Sequence, residues 1–284
     1  GRREASMAIR AIALDIDGTL TNDQKVITPR TKKALMDAQE AGIKLILSSG
    51  RPVHGLRALA HELELDRHNG LLVAFNGAQV RDASTGEVLY DQAIPADLAR
   101  EVLVHMKKFD VIPMLVDGDR LYIEDAYNCT IYSGGEPKNI IKYERDACNL
   151  RLHEVRDLAE WCTVPQNKIL TAGTGEYLQK HYQEMAAPFS DRLSCMFTAE
   201  WYFEFTDQGI DKGRALSFAL PRCGIDPSEM AAFGDGQNDR AMIELAGVGV
   251  AMGNAIDELK SVADMVCGTN NEDGIASALE ELLA

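Results

Sequence analysis

Between Ile9 and Thr21 the chain reads Ile-Arg-Ala-Ile-Ala-Leu-Asp-Ile-Asp-Gly-Thr-Leu-Thr, an apolar run that stops abruptly at two aspartates and a glycine. A buried strand fits the apolar half, but no buried strand tolerates bare carboxylates along its length. Asp15 and Asp17 therefore mark the strand's end. Residues two apart on a strand share a face, which puts both carboxylates at one edge, about 6–7 Å apart between α-carbons. At an effective dielectric near 20, two like charges about 4 Å apart cost on the order of 4 kcal/mol. Such a pair asks for a cation or a shared proton. The alternative at this point is two aspartates that merely cap a turn before Gly18.

The chain that follows repeats the pattern of apolar run and polar stop. Thr28-Pro29 starts a helix that Gly42 closes, Ile43–Leu47 is a second strand ending in Ser48-Ser49-Gly50-Arg51-Pro52, and a helix follows through Leu63. Leu71–Phe75 is a third strand, ending in Asn76-Gly77. Strand–helix alternation builds a parallel sheet covered by helices, with its binding crevice beyond the carboxyl ends of the strands. From about Ser84 the rhythm changes. Tyr90–Ile94 reads as a strand, Ala96–Lys108 as a helix, and Ile112–Val116 and Leu121–Glu124 flank Asp117-Gly118, a hairpin signal. Asn167–Ala172, a helix over Glu176–Met185, and two extended pieces at Ser194–Thr198 and Tyr202–Thr206 complete this part. After Gly213 the alternation returns, with a strand at Met230–Phe233 that ends in Gly234-Asp235-Gly236-Gln237-Asn238-Asp239. The expected architecture is α/β: a doubly wound, Rossmann-like parallel-sheet core (residues 1–84 and 201–284) with an inserted α+β cap domain (85–200). Residues 1–6 precede Met7 and read as an expression remnant.

The 29 basic and 44 acidic residues leave a net charge of −15, which argues against nucleic acid as a partner. The six cysteines are scattered, with no Cys-x-x-Cys pair, so free thiols and a cytoplasmic location are expected. The sequon Asn128-Cys129-Thr130 is discounted, since nothing else suggests secretion. No apolar run is long enough to span a bilayer. Histidines such as His54, His61 and His105 show no site-like spacing. Monomer and homodimer are both open.

The strand ends supply one coherent chemistry. Asp15 and Asp17 come from the first, Ser49 from the second, Asp235, Asn238 and Asp239 from a later one, and Lys212 sits in Gly-Ile-Asp-Lys-Gly. Carboxylates converging on one crevice are tolerable around a cation, and oxygen-only ligation favours Mg2+ over zinc. A hydroxyl, an ammonium and glycine-exposed N–H groups suit a phosphate. The set fits phosphoryl transfer. One aspartate attacks phosphorus to give an aspartyl-phosphate, and a second, two residues along, protonates the leaving alkoxide and then activates water. Each residue also has a plain structural reading: Ser49 as a helix cap, Lys212 as a surface lysine, Asp239 as a complement to a helix dipole, and Arg51 as a partner for a cap carboxylate.

Asp15-Ile-Asp17-Gly-Thr-Leu, Ser49-Gly50-Arg51, Lys212 in its glycine-flanked context, and Gly-Asp235-Gly-Gln-Asn238-Asp239 together resemble the four motifs of haloacid dehalogenase-like phosphatases. More narrowly the chain resembles the Cof-type subfamily, which Asn76-Gly77-Ala78 and Glu272-Asp273-Gly274 also fit. The resemblance covers nearly everything from Met7 onward. It implies that Asp15 is the nucleophile and a Mg2+ ligand, and that Asp17 is the acid/base and lends a backbone carbonyl to the metal. It further implies that Ser49 and Lys212 bind the phosphoryl group, with Gly50, Arg51 and Asn76 beside them. Asp235 is then the other carboxylate ligand, Asn238 contacts the phosphate, and Asp239 orients the metal's water or Lys212. Ser49 stands where many relatives carry threonine, and the hydroxyl survives. The implied substrate is a small phosphorylated metabolite, a sugar phosphate first. Rival readings are a phosphomutase sharing the aspartyl-phosphate, and a non-catalytic phosphate-binding regulator.

Overall fold

The computed structural model describes residues 8–284, so the reading of residues 1–6 lies outside the described residues. The opening stretch forms β1 (Ala11–Asp15), every residue of it buried. A helix over Pro29–Glu40 leads to β2 (Lys44–Ser48), and a short helix over Arg57–Glu62 leads to β3 (Leu71–Ala74). Thr28 stands at the expected N-cap position with extended backbone, but its hydroxyl bonds Thr31 and Asp273 and makes no cap bond. Then come β4 (Gln79–Asp82), antiparallel to β3, and β5 (Val88–Asp91), antiparallel to β4.

The inserted part contains a helix over Ala96–Met106, β6 (Ile112–Asp117), β7 (Arg120–Ile123), β8 (Thr130–Ser133) and β9 (Glu136–Asn139). A helix over Ile140–Cys148, β10 (Arg151–Glu154), β11 (Ile169–Ala172), a helix over Gly175–Ala186, β12 (Leu193–Ala199) and β13 (Tyr202–Asp207) follow. The chain closes with a helix over Lys212–Arg222, β14 (Met230–Gly234), β15 (Val248–Ala251), β16 (Met265–Val266) and a helix over Gly274–Leu282.

Two compact units result, one ending at Asp91 and resuming at Asp211, the other running from Gln92 to Ile210. The first holds an eight-stranded sheet in the order β16-β15-β14-β1-β2-β3-β4-β5. Its six strands from β16 to β3 are parallel and the β4–β5 pair is an antiparallel edge. Strands buried on both faces must be apolar throughout, and β1, β3, β14 and β15 are buried at every residue. The second unit holds a six-stranded sheet, β10-β7-β6-β11-β13-β12. Alternation along its strands feeds two cores, Leu115, Phe203 and Phe205 in one and Met114, Leu170 and Tyr202 in the other.

The unit boundaries differ from the expected 85–200. β5 pairs with β4, which keeps residues to Asp91 in the first unit, while β13 pairs with β11 and β12, which carries the second unit to Ile210. A strand's own sequence does not name its sheet. The Tyr90–Ile94 strand is likewise placed earlier, at Val88–Asp91.

Candidate active site

In the first unit, register aligns the strand ends. Ala11–Asp15 runs beside Lys44–Ser48, and Leu14 lies opposite Phe233, so Asp15, Ser49 and Asp235 emerge along one rim of the sheet. This is the place where parallel sheets bind ligands.

Lys212 is the centre of the arrangement. It is the first residue of the helix Lys212–Arg222, which Asp211 caps by accepting the Arg214 N–H. Its Nζ is fully buried, 2.9 Å from Asp15 Oδ1, 2.7 Å from Asp239 Oδ1 and 3.3 Å from the Ser48 carbonyl oxygen. All three are acceptors, so the surface reading of Lys212 falls away. Gly213 lets the helix come this close, since a Cβ there would lie 2.5 Å from the Ala241 carbonyl oxygen.

Asp15, Asp235 and Asp239 each offer an oxygen within 4.8 Å of the others. Asp239 is fully buried, and while Oδ1 holds Lys212, Oδ2 accepts the backbone N–H groups of Asp235 and Gly236 at 3.0 and 3.1 Å. Both oxygens are engaged, which makes Asp239 a support for its neighbours. Asp235 Oδ1 accepts from the Thr19 hydroxyl at 2.9 Å. Three carboxylates around one ammonium leave an excess of two negative charges. The donor set, all oxygen, fits a hard divalent cation. Asp15 and Asp235 are the residues that would hold it.

Asp17 lies beyond the end of the strand that carries Asp15. β1 ends at Asp15, and the chain turns through Gly18 at φ +76°, so the strand's two-residue period no longer applies. A Cβ on Gly18 would lie 2.3 Å from Asp235 Oδ2, so only glycine fits this turn. The Asp17 carboxylate stands outside the cluster, 52% exposed, 3.1 Å from Lys25 Nζ and 3.5 Å from Arg51 Nη2. The carboxylates that crowd Asp15 are Asp235 and Asp239.

Ser49 is buried, and its Oγ accepts the Arg51 N–H at 3.1 Å while its carbonyl accepts the Asn76 N–H. It thus shapes the turn that exposes Gly50, whose position packs against the Asn76 amide. Asn76 in turn accepts from Asn238 Nδ2 at 3.0 Å, which joins two of the expected phosphate contacts. Arg51 reaches toward Asp17 within the first unit. Sequence reasoning passed over Thr19 as a site residue, although it stands inside the opening motif, and passed over Asn254, whose Nδ2 donates to the Gly18 carbonyl at 2.8 Å.

Burial dominates the electrostatics. It pushes Asp15 up to about 7; Lys212 pulls the other way, and a hydrogen bond and repulsion from Asp235 add to the rise. Asp239 also rises through burial and the nearness of Asp15. Burial opposes the charge on Lys212, yet Asp15 and Asp239 together push it upward. Asp15 therefore holds a proton in the folded protein between its ordinary 3.8 and about 7, where the unfolded chain has lost it. Stability without divalent cation should fall as pH rises through this window. Thermal melts with chelator at pH 5 and pH 8 check this; equal or higher stability at pH 8 from this site would contradict it.

With this geometry in view, the chain's relatives are informative. The family model described as haloacid dehalogenase-like hydrolase matches residues 12–279. A solved haloacid dehalogenase-like hydrolase from Bacteroides thetaiotaomicron is 31% identical, superposes with a TM-score of 0.87, and covers 96% of this chain and 99% of its own. The structure of TM0651 from Thermotoga maritima is 27% identical with a TM-score of 0.85, over 96% of this chain and 97% of its own. The 5-amino-6-(5-phospho-D-ribitylamino)uracil phosphatase YcsE of Bacillus subtilis is 30% identical over 95% of this chain and 94% of its own. With its buried lysine–carboxylate cluster set on such a sheet, the chain belongs to the haloacid dehalogenase-like hydrolases and is closely related to the Cof-type phosphatases among them.

Proposed function

We propose that this phosphoric monoester hydrolase acts on a small phosphorylated metabolite, a sugar phosphate in the first place, by transferring the phosphoryl group to Asp15. The carrying observation is Lys212, buried without exposure between Asp15 and Asp239 at the rim where the carboxylates meet. A buried ammonium fixed by two carboxylates has its charge aimed at the place where phosphoryl oxygens gain charge. An Asp15 oxygen attacks phosphorus and the bond from phosphorus to the ester oxygen breaks. Asp17, exposed and outside the cluster, gives its proton to the departing alkoxide. It then takes a proton from water, which attacks phosphorus and breaks the bond to Asp15, releasing phosphate and restoring Asp15 as a carboxylate and Asp17 as the acid. Ser49, Gly50 and the Asn76–Asn238 pair bind the phosphoryl oxygens. Mg2+, held by Asp15 and Asp235 with the Asp17 backbone carbonyl, would supply charge neutralisation at the same oxygens.

The substrate class draws on the Bacillus subtilis relative, named for a substrate whose phosphate sits on a ribityl chain. The Gln92–Ile210 unit acts as the cap that reads the leaving group. A panel of phosphorylated metabolites assayed for free phosphate with Mg2+ tests the reading. Sugar and polyol phosphates should lead the panel, and chelation should stop release. Undiminished rates in chelator would remove the metal from the reading, and transfer without phosphate release would identify a mutase.

A further inference from the structure

Asp17 is the least anchored group of this site. Its carboxylate meets only Lys25 and Arg51 among the described residues, in exposed or long pairs of the kind worth little. Its position is set by the backbone of the turn that follows β1. That turn is gripped from the far end of the chain. Asn254 Nδ2 donates to the Gly18 carbonyl at 2.8 Å, while Asn254 Oδ1 accepts the Asn270 N–H at 3.0 Å. Asn270 is buried, and its Nδ2 donates to the Thr21 carbonyl at 3.0 Å and to Asp23 Oδ1 at 3.1 Å. Asn271 exchanges two bonds with Asp23, at 3.0 and 2.9 Å, and the Thr28 hydroxyl donates to Asp273. The Glu272-Asp273-Gly274 segment, which the reaction leaves without a role, ends this grip.

We propose that Asn254 and Asn270 are positioning residues for Asp17: they clamp residues 18–23 to the loops after β15 and β16 and so fix where the acid/base carboxylate is presented. The inference rests on the reading of Asp17 as proton donor. Neither asparagine touches the phosphoryl site residues Ser49, Lys212 or Asn238 through a hydrogen bond, so the clamp acts on proton transfer and leaves phosphoryl binding alone. Misplacing a catalytic group by about 1 Å costs on the order of 100-fold, and only when the step needs that group.

Leaving groups separate this from a general structural role. An alkyl phosphate needs a proton on its departing oxygen, whereas 4-nitrophenyl phosphate, with an acidic phenol, barely does. The value of kcat/KM, which reports the step that breaks the ester bond, is measured for both substrates with Mg2+ in the wild type, Asn254→Ala, Asn254→Ser and Asp17→Asn. Asn254 is exposed, so both of its variants should fold, and thermal melts normalise activity to folded protein. The expected result is a loss of about 10- to 100-fold on the alkyl phosphate and less than about threefold on the aryl phosphate, the same selective pattern as Asp17→Asn. Equal losses on both substrates in the Asn254 variants, or none, would overturn the clamp. If Asp17→Asn itself shows no selectivity, the fault lies in the proton-donor reading.

Discussion

Replacing Asp15 by asparagine should abolish phosphate release, by at least about four orders of magnitude in kcat, while leaving a folded protein. Asparagine keeps the shape and an acceptor for Lys212, which also retains Asp239 at 2.7 Å. What it loses is the nucleophile and one of the two carboxylates best placed for a cation. The stability outcome follows from the raised Asp15, whose buried charge is a burden above about pH 7. In chelator, Asp15→Asn should therefore melt at or above the wild-type temperature at pH 8, and the gap should narrow toward pH 5. Added Mg2+ should raise the wild-type Tm more than that of the variant. A variant that still releases phosphate would remove Asp15 as nucleophile, and one that fails to fold at pH 8 would contradict the account of its charge.

Lys212→Met should have the opposite effect on stability. It strips the buried ammonium from Asp15, Asp239 and the Ser48 carbonyl, and breaking one side of a buried ion pair costs about 3–5 kcal/mol. Turnover should drop by about 100- to 1000-fold or more, the usual cost of one electrostatic donor. Because the harm comes from uncompensated carboxylates, acid should relieve it, and the Tm deficit at pH 8 should shrink at pH 5. Combining Lys212→Met with Asp15→Asn should destabilise less than Lys212→Met alone, since one of the stranded charges is gone. Additive losses in calorimetry would mean the three groups do not act as a unit.

The strands of the first unit could be read directly from the sequence, for a physical reason. Ala11–Asp15 and Met230–Gly234 are covered on both faces, so each is a continuous apolar run stopped by carboxylates and glycine. Their ends are also where the site residues stand. Residues between Ile123 and Asn167 gave no such signal. β8 and β9 are half-exposed and carry Glu136-Pro137, and the helix after them is capped by Asn139, whose side chain accepts the Lys142 N–H. β5 reads as a strand by itself, but its membership depends on a partner, β4, that the sequence reading passed over. Asp17 lies past the last residue of its strand, Asp15, where strict alternation is no longer guaranteed, and its carboxylate pairs with Lys25 and Arg51. Lys212 was legible as chemistry, though not as the buried centre of three contacts. Nothing local in a lysine at a helix start announces burial.

The central place of β1 has a consequence for how this protein is made. One edge of β1 pairs with β2, a few dozen residues on, but its other edge pairs with Met230–Phe233, after the whole inserted unit. Asp15 and Lys212 are separated by 197 positions. During synthesis the first half of the sheet must wait with an apolar strand edge unpaired, the condition in which nascent chains associate wrongly. The inserted unit can fold in that interval, but β1 gains its second neighbour only when the last quarter of the chain emerges. A ribosome-bound fragment ending before β14 should be the aggregation-prone species, and release of the C-terminal segment should close the sheet and create the active site in one event.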